Sequence, residues 1–196
     1  MRHDSKSPAL PLDPELDTEQ RALQCRLAGT NINPSTFLAT DYLNHFNEVI
    51  MLLEMLPEMP EMIGEVLLWQ PKSYPDHFRD SGFKDGALAI EAYERAPARY
   101  RRAFDHHVAA LDALILESVA ALQSCASDGT RMRRIVDCDL AQARRILETL
   151  SGIIHGATTS LAQDDVDRAF ADASSGADTA EADGANDQAA IDALFD

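Results

Sequence analysis

Apolar residues recur along most of this chain at three- and four-residue spacing, and no strand-length run alternates cleanly. That period puts side chains on one face of a helix. The clearest stripe is Phe37, Leu38, Leu43, Phe46, Val49, Ile50 and Leu53, stopped by Pro57. Asn33 suits the N-cap and Pro34 the first helical position, so the pattern predicts a helix over 34–56. Shorter helices are expected over 14–28, with Leu16, Leu23 and Leu27 packing, over 61–69, with Met62, Ile63, Val66 and Leu67 inward, and over 86–94.

Two long stripes follow. Residues 97–124 carry Tyr100, Phe104, Val108, Leu111, Leu114, Ile115, Val119 and Leu122. Residues 130–155 carry Met132, Ile135, Val136, Leu140, Ala143, Ile146, Leu147, Leu150 and Ile154. The short Ser127-Asp128-Gly129 turn predicts an antiparallel hairpin, and Gly156 fits just past the second C-cap. Between the short and long elements, residues 69–85 hold two prolines and four aromatics and read as a connection packed onto the body. The expected fold is all-α: a helical bundle over 14–156 with a long antiparallel hairpin, a disordered N-terminus over 1–13 and a disordered acidic C-terminal tail over 157–196.

Composition sharpens this picture in two places. Apolar residues make up 45% of the 196, enough for a packed core. No uninterrupted apolar run has the length of a membrane span, and the N-terminus has no apolar signal region. Cys25, Cys125 and Cys138 have no metal-ligand spacing and are read as reduced thiols, which implies a cytoplasmic setting. The charge is uneven: the last forty residues hold ten acids and one base, a net −9 of the chain's −16. Such a tail repels phosphate backbones and anionic lipid, so neither nucleic acid nor membrane is an expected partner.

The tail contains a repeat. Gln163, Val166, Asp167 and Phe170 recur in register as Gln188, Ile191, Asp192 and Phe195, with Ala169 matched by Leu194. Val166, Ala169 and Phe170 share one helical face, as do Ile191, Leu194 and Phe195. Ser160 with Gln163 can form a capping box, and Asp187 can cap the second copy, so short helices are expected over 160–170 and 187–196. Residues 171–185 between them lack any large apolar side chain and read as a linker. Segments this short become helical mainly on contact with a groove. Burial of Ile191, Leu194 and Phe195 contributes roughly 1.5–3 kcal/mol each. Ordering the backbone costs about 1–2 kcal/mol per residue, which leaves affinity on the order of micromolar.

The second copy, Gln-Ala-Ala-Ile-Asp-Ala-Leu-Phe, resembles the peptide that opens the flagellar switch proteins of the FliM family and closes the chemotaxis phosphatases of the CheZ family. In those families the peptide binds the receiver domain of the CheY response regulator as a short helix. The resemblance implies contact roles for Gln188, Ile191, Asp192, Leu194 and Phe195, and for Gln163, Val166, Asp167 and Phe170 in the first copy. Asp187 stands where those families have Ser, Ala190 lacks their acidic group, and Ala169 replaces their Leu, so the first copy matches less closely. The implied function is a bacterial adaptor for a CheY-like receiver in chemotaxis or motility signalling, with no cofactor. A CheZ-like phosphatase is the alternative: that family also joins a long hairpin, a linker and a terminal peptide. Its catalytic Asp and Gln would be sought here at Asp139 and Gln142, although the surrounding residues do not match its signature. A structural protein with an inert tail is the third reading. Segments 40–62 and 70–83 resemble an uncharacterised bacterial helical family.

Other chemistry is weaker. Asp41, His45 and Glu48 lie along one helical face, and Asp105, His106 or His107 could join them in a metal site, but di-metal bundles use Glu-x-x-His, which this chain lacks. A solvated polar face accounts for the same residues, and no metal is expected. His155 is read as complementing a helix C-terminus. Arg95, Arg99, Arg101 and Arg102, with Arg131, Arg133 and Arg134, are read as solvated or intramolecularly paired. Met51, Met55, Met59 and Met62 are expected as core filler. Oligomeric state stays open: a homodimer through the long helices and a self-contained monomer both satisfy them.

Overall fold

The computed structural model describes residues 16–125 and 128–157. Over these residues the protein is an all-α bundle of seven α-helices: α1 Thr18–Leu27, α2 Asn44–Met55, α3 Ile63–Leu68, α4 Tyr74–Asp80, α5 Gly86–Glu94, α6 Ala98–Ser124 and α7 Gly129–Ile154. Short 3-10 turns at Thr40–Leu43 and Pro60–Met62 lead into α2 and α3. The expected N-terminal segment over 1–13 and the tail helices over 160–170 and 187–196 lie outside the described residues.

α6 and α7 form the expected hairpin. Asp128 caps α7 by accepting from the Arg131 N–H, and Gly156 takes the left-handed conformation (φ 99°) beyond its end. Late residues of α6 meet early residues of α7: Leu114, Ile115, Ser118 and Leu122 share an interior face with Val136, Asp139, Leu140 and Ala143, and Leu53 of α2 closes it. Ion pairs Arg144–Glu54 and Arg133–Glu58 rim the contact between α7 and the α2 end of the body. Exposed pairs of this kind contribute little, and the buried apolar seam carries the packing.

α1 is opened by a complete capping box between Asp17 and Gln20. It is tied to α5 by Arg26, which donates to both Glu91 oxygens at 2.6 and 2.8 Å. Leu23 and Leu27 go into the shared core.

Three expectations are corrected here. The first concerns the helix predicted from Pro34. The Asn33 side chain instead accepts from the N–H groups of Ser35 and Thr36, which closes a local turn. Phe37 follows in the left-handed region (φ 64°), Ile32 pairs with Ala39, and α-helix begins only at Asn44. The Thr36 hydroxyl donates to the buried Ile154 carbonyl at 2.7 Å, so tertiary anchoring to the end of α7 overrides the cap signal. All seven residues of the predicted stripe are nonetheless buried.

The second is the connection over 69–85, which contains α4. Ser73 accepts from the Asp76 N–H and Pro75 sits in the first turn, both ordinary helix-start chemistry. The third concerns apolar residues assigned to the core. Met51 is 57% exposed because it lies off the α2 face that buries Phe46, Val49, Ile50 and Leu53; Leu67 is 37% exposed, Met55 and Met59 are only half-buried, and Met62 is partly buried against the core as expected.

Among the described residues, α6 alone is long and apolar enough to cross a membrane by length and composition, with a mean hydropathy of 1.2 over 18 residues. The average comes partly from exposed alanines such as Ala109, Ala113 and Ala120. Tyr100, Phe104, Leu111, Ile115 and Leu122 of the same helix are buried in the bundle.

Candidate functional site

Two clefts lie on either side of Lys72, built by α4 and the segment leading into it. The first, about 380 Å³, is lined by Asp41, Asn44, His45, Glu48, Lys72, His77 and Asp80, with Ser81 and Phe83 at its edge. Asp41 and Glu48 belong to the turn and helix that carry His45, and His77 and Asp80 come from α4. Lys72 and Asp80 form an ion pair of 2.9 Å.

His45 is the least ordinary group in this cleft. Read from sequence as part of a solvated face, it is only 6% exposed. The Trp69 ring stacks on it with centroids 5.0 Å apart, and the Trp69 indole N–H donates to the His45 carbonyl at 3.2 Å. Burial, then the neighbouring His77 and Lys72, pushes its imidazole pKa down to about 4, against the opposing effect of a hydrogen bond with the Gln70 backbone. His77, its ring centroid 6.2 Å from that of His45, is also shifted down, mainly by burial. Both imidazoles are therefore neutral at physiological pH, and His45 Nε2 is buried without a hydrogen-bond partner. Asp41, His45 and Glu48 thus do share a site, but their companions are His77 and Asp80 rather than Asp105, His106 or His107. Among the described residues, no group of three or more His, Cys, Asp or Glu side chains is arranged to hold a metal ion.

The second cleft, about 320 Å³, lies between Pro71, Lys72 and Ser73 on one side and Asp105, Val108, Ala109 and Asp112 of α6 on the other. Its inner wall is aromatic. Tyr42, Tyr74, Tyr93 and Phe104 line it, with Tyr74 and Tyr93 stacked at 4.5 Å and Tyr42 tilted against Tyr74 at 5.1 Å. The Tyr42 hydroxyl donates to the Lys72 carbonyl (2.8 Å), the Ala39 N–H donates to the Tyr74 hydroxyl (2.9 Å), and the Tyr93 hydroxyl donates to Asp105 (2.7 Å). Burial raises the Tyr42 and Tyr74 phenols well above their ordinary range, so both stay protonated. Burial likewise raises the Asp112 carboxyl to about 6, and Asp112 Oδ1 is enclosed without a partner.

The candidate phosphatase pair is separated in environment. Asp139 is half-buried in the hairpin, with Oδ2 2.7 Å from the Ser118 hydroxyl. Gln142, one turn later, is exposed. The partner-binding candidates Gln163, Val166, Asp167, Phe170, Gln188, Ile191, Asp192, Leu194 and Phe195 lie outside the described residues. Several of the arginines are paired within the chain: Arg95 with Glu19, Arg101 with Asp105, Arg133 with Glu58. Arg99 lies over the Tyr100 ring at 4.7 Å. His155, exposed at the end of α7, bonds through Nδ1 to the Ser151 carbonyl at 2.7 Å, as befits a C-terminal histidine. All three cysteines are free thiols.

Sequence reasoning missed Trp69, His77, Tyr93 and Asp112 as site-forming residues. For His77, the Ser-Tyr-Pro-Asp start of α4 was an available signal, since it puts His77 one turn into a capped helix. Asp112 gave only a weak one: an acid among Leu111, Leu114 and Ile115 on a mostly apolar helix. No family model, curated protein or solved structure matches this chain.

Proposed function

We propose that this protein is a helical adaptor that captures the receiver domain of a CheY-like response regulator through its C-terminal peptides, in a cytoplasmic signalling setting. The observation that carries the proposal is the duplicated pattern in the tail: Gln188, Ile191, Asp192 and Phe195 repeat Gln163, Val166, Asp167 and Phe170 residue for residue or with a close substitute. The two copies are joined by fifteen residues (171–185) with no large apolar side chain, a length that spans roughly 20 Å as a flexible chain. Two weak sites at that spacing gain avidity on a clustered or oligomeric partner.

The hairpin favours the adaptor over the phosphatase reading. An Asp and Gln pair acting on an acyl phosphate must both reach it, whereas Asp139 is half-buried and engaged by Ser118, and only Gln142 is exposed. The test follows the full-length protein mixed with a phosphorylated receiver domain. The adaptor binds it, loses binding with paired Ile191→Asp and Phe195→Asp, and leaves the rate of phosphoryl decay unchanged. Accelerated decay abolished by Gln142→Ala would assign the phosphatase instead, and absence of any binding would leave the tail inert.

A further inference from the structure

We draw no further inference here: the strongest candidate, the outward face of α6 on which Ala109, Ala113, Leu116 and Ala120 stand exposed at alternating four- and three-residue spacing, is a stripe of small side chains around one leucine, and nothing in the structure shows what covers it.

Discussion

The hydroxyl of Ser118, buried on α6, lies 2.7 Å from Oδ2 of Asp139 on α7 and at the same distance from the Leu114 carbonyl of its own helix. One hydroxyl proton serves two acceptors inside the hairpin seam, which makes Asp139 part of the scaffold. Ser118→Ala is expected to destabilise the protein by about 1–2 kcal/mol, within the range for a hydrogen bond to a charged group. Asp139→Ala should cost a similar amount, and the double variant less than the two together, because both remove one interaction. Chemical denaturation of the four proteins measures this. Strict additivity would remove Asp139 from that structural role.

Thr36 joins the first turn of the body to the last turn of α7 through its buried bond to the Ile154 carbonyl. Thr36→Val keeps the shape and deletes the donor, leaving that carbonyl unsatisfied in the core. A loss of about 1–3 kcal/mol is expected, read from denaturant midpoints at unchanged m-value.

His45 makes stability depend on acid. Its folded pKa of about 4 lies below the ordinary value of 6.5, so the unfolded chain binds the proton more readily. The stabilisation is complete above pH 6.5 and is lost as pH falls through 6.5 toward 4; with solvent screening allowed for, it amounts to about 2 kcal/mol. His77, shifted the same way, adds to the effect. His45→Gln should flatten the slope of stability against pH in that window, measured by urea unfolding at half-unit steps.

Asp112 works in the opposite sense. Its folded pKa of about 6 lies above the ordinary 3.8, so the folded state holds the proton more tightly. Ionised Asp112 therefore destabilises the fold above pH 6, and the penalty fades as pH falls toward 4. Asp112→Asn should stabilise the protein by about 1 kcal/mol at pH 8, once screening of this half-buried group is allowed for, and by nothing near pH 4. The same variant provides the clean background for the His45 measurement, since the two effects oppose each other between pH 4 and 6.

The parts of the fold legible in sequence are those where one period runs long enough to decide the issue. α6 and α7 keep an apolar face for 27 and 26 residues, so both were located to within a residue or so at each end. α5 matched its expected limits. α4 was hidden because Pro75 and the aromatics around it read as loop punctuation, although Ser73 and Pro75 are start signals. The cap at Asn33 was real as hydrogen-bond chemistry but closed a turn, because Thr36 is held by Ile154, 118 residues away. The clefts were illegible for the same reason. His45 sits beside Asn44, Asn47 and Glu48 in sequence and reads as exposed, while the ring that covers it belongs to Trp69 and the group facing it to His77. Asp112 shares its cleft with a segment forty residues earlier, around Lys72. Local pattern gave the helices; the site depends on which helices meet.

The adaptor reading rests on an apolar face in the tail that serves another molecule. Fluorescence-anisotropy titration of a labelled peptide spanning residues 185–196 with a CheY-like receiver domain, with and without a phosphoryl mimic, tests it most directly. The account predicts saturation with a dissociation constant on the order of micromolar, weakened at least tenfold when Ile191 and Phe195 are both replaced by alanine. A flat titration to several hundred micromolar receiver, or equal binding by the doubly substituted peptide, would contradict it.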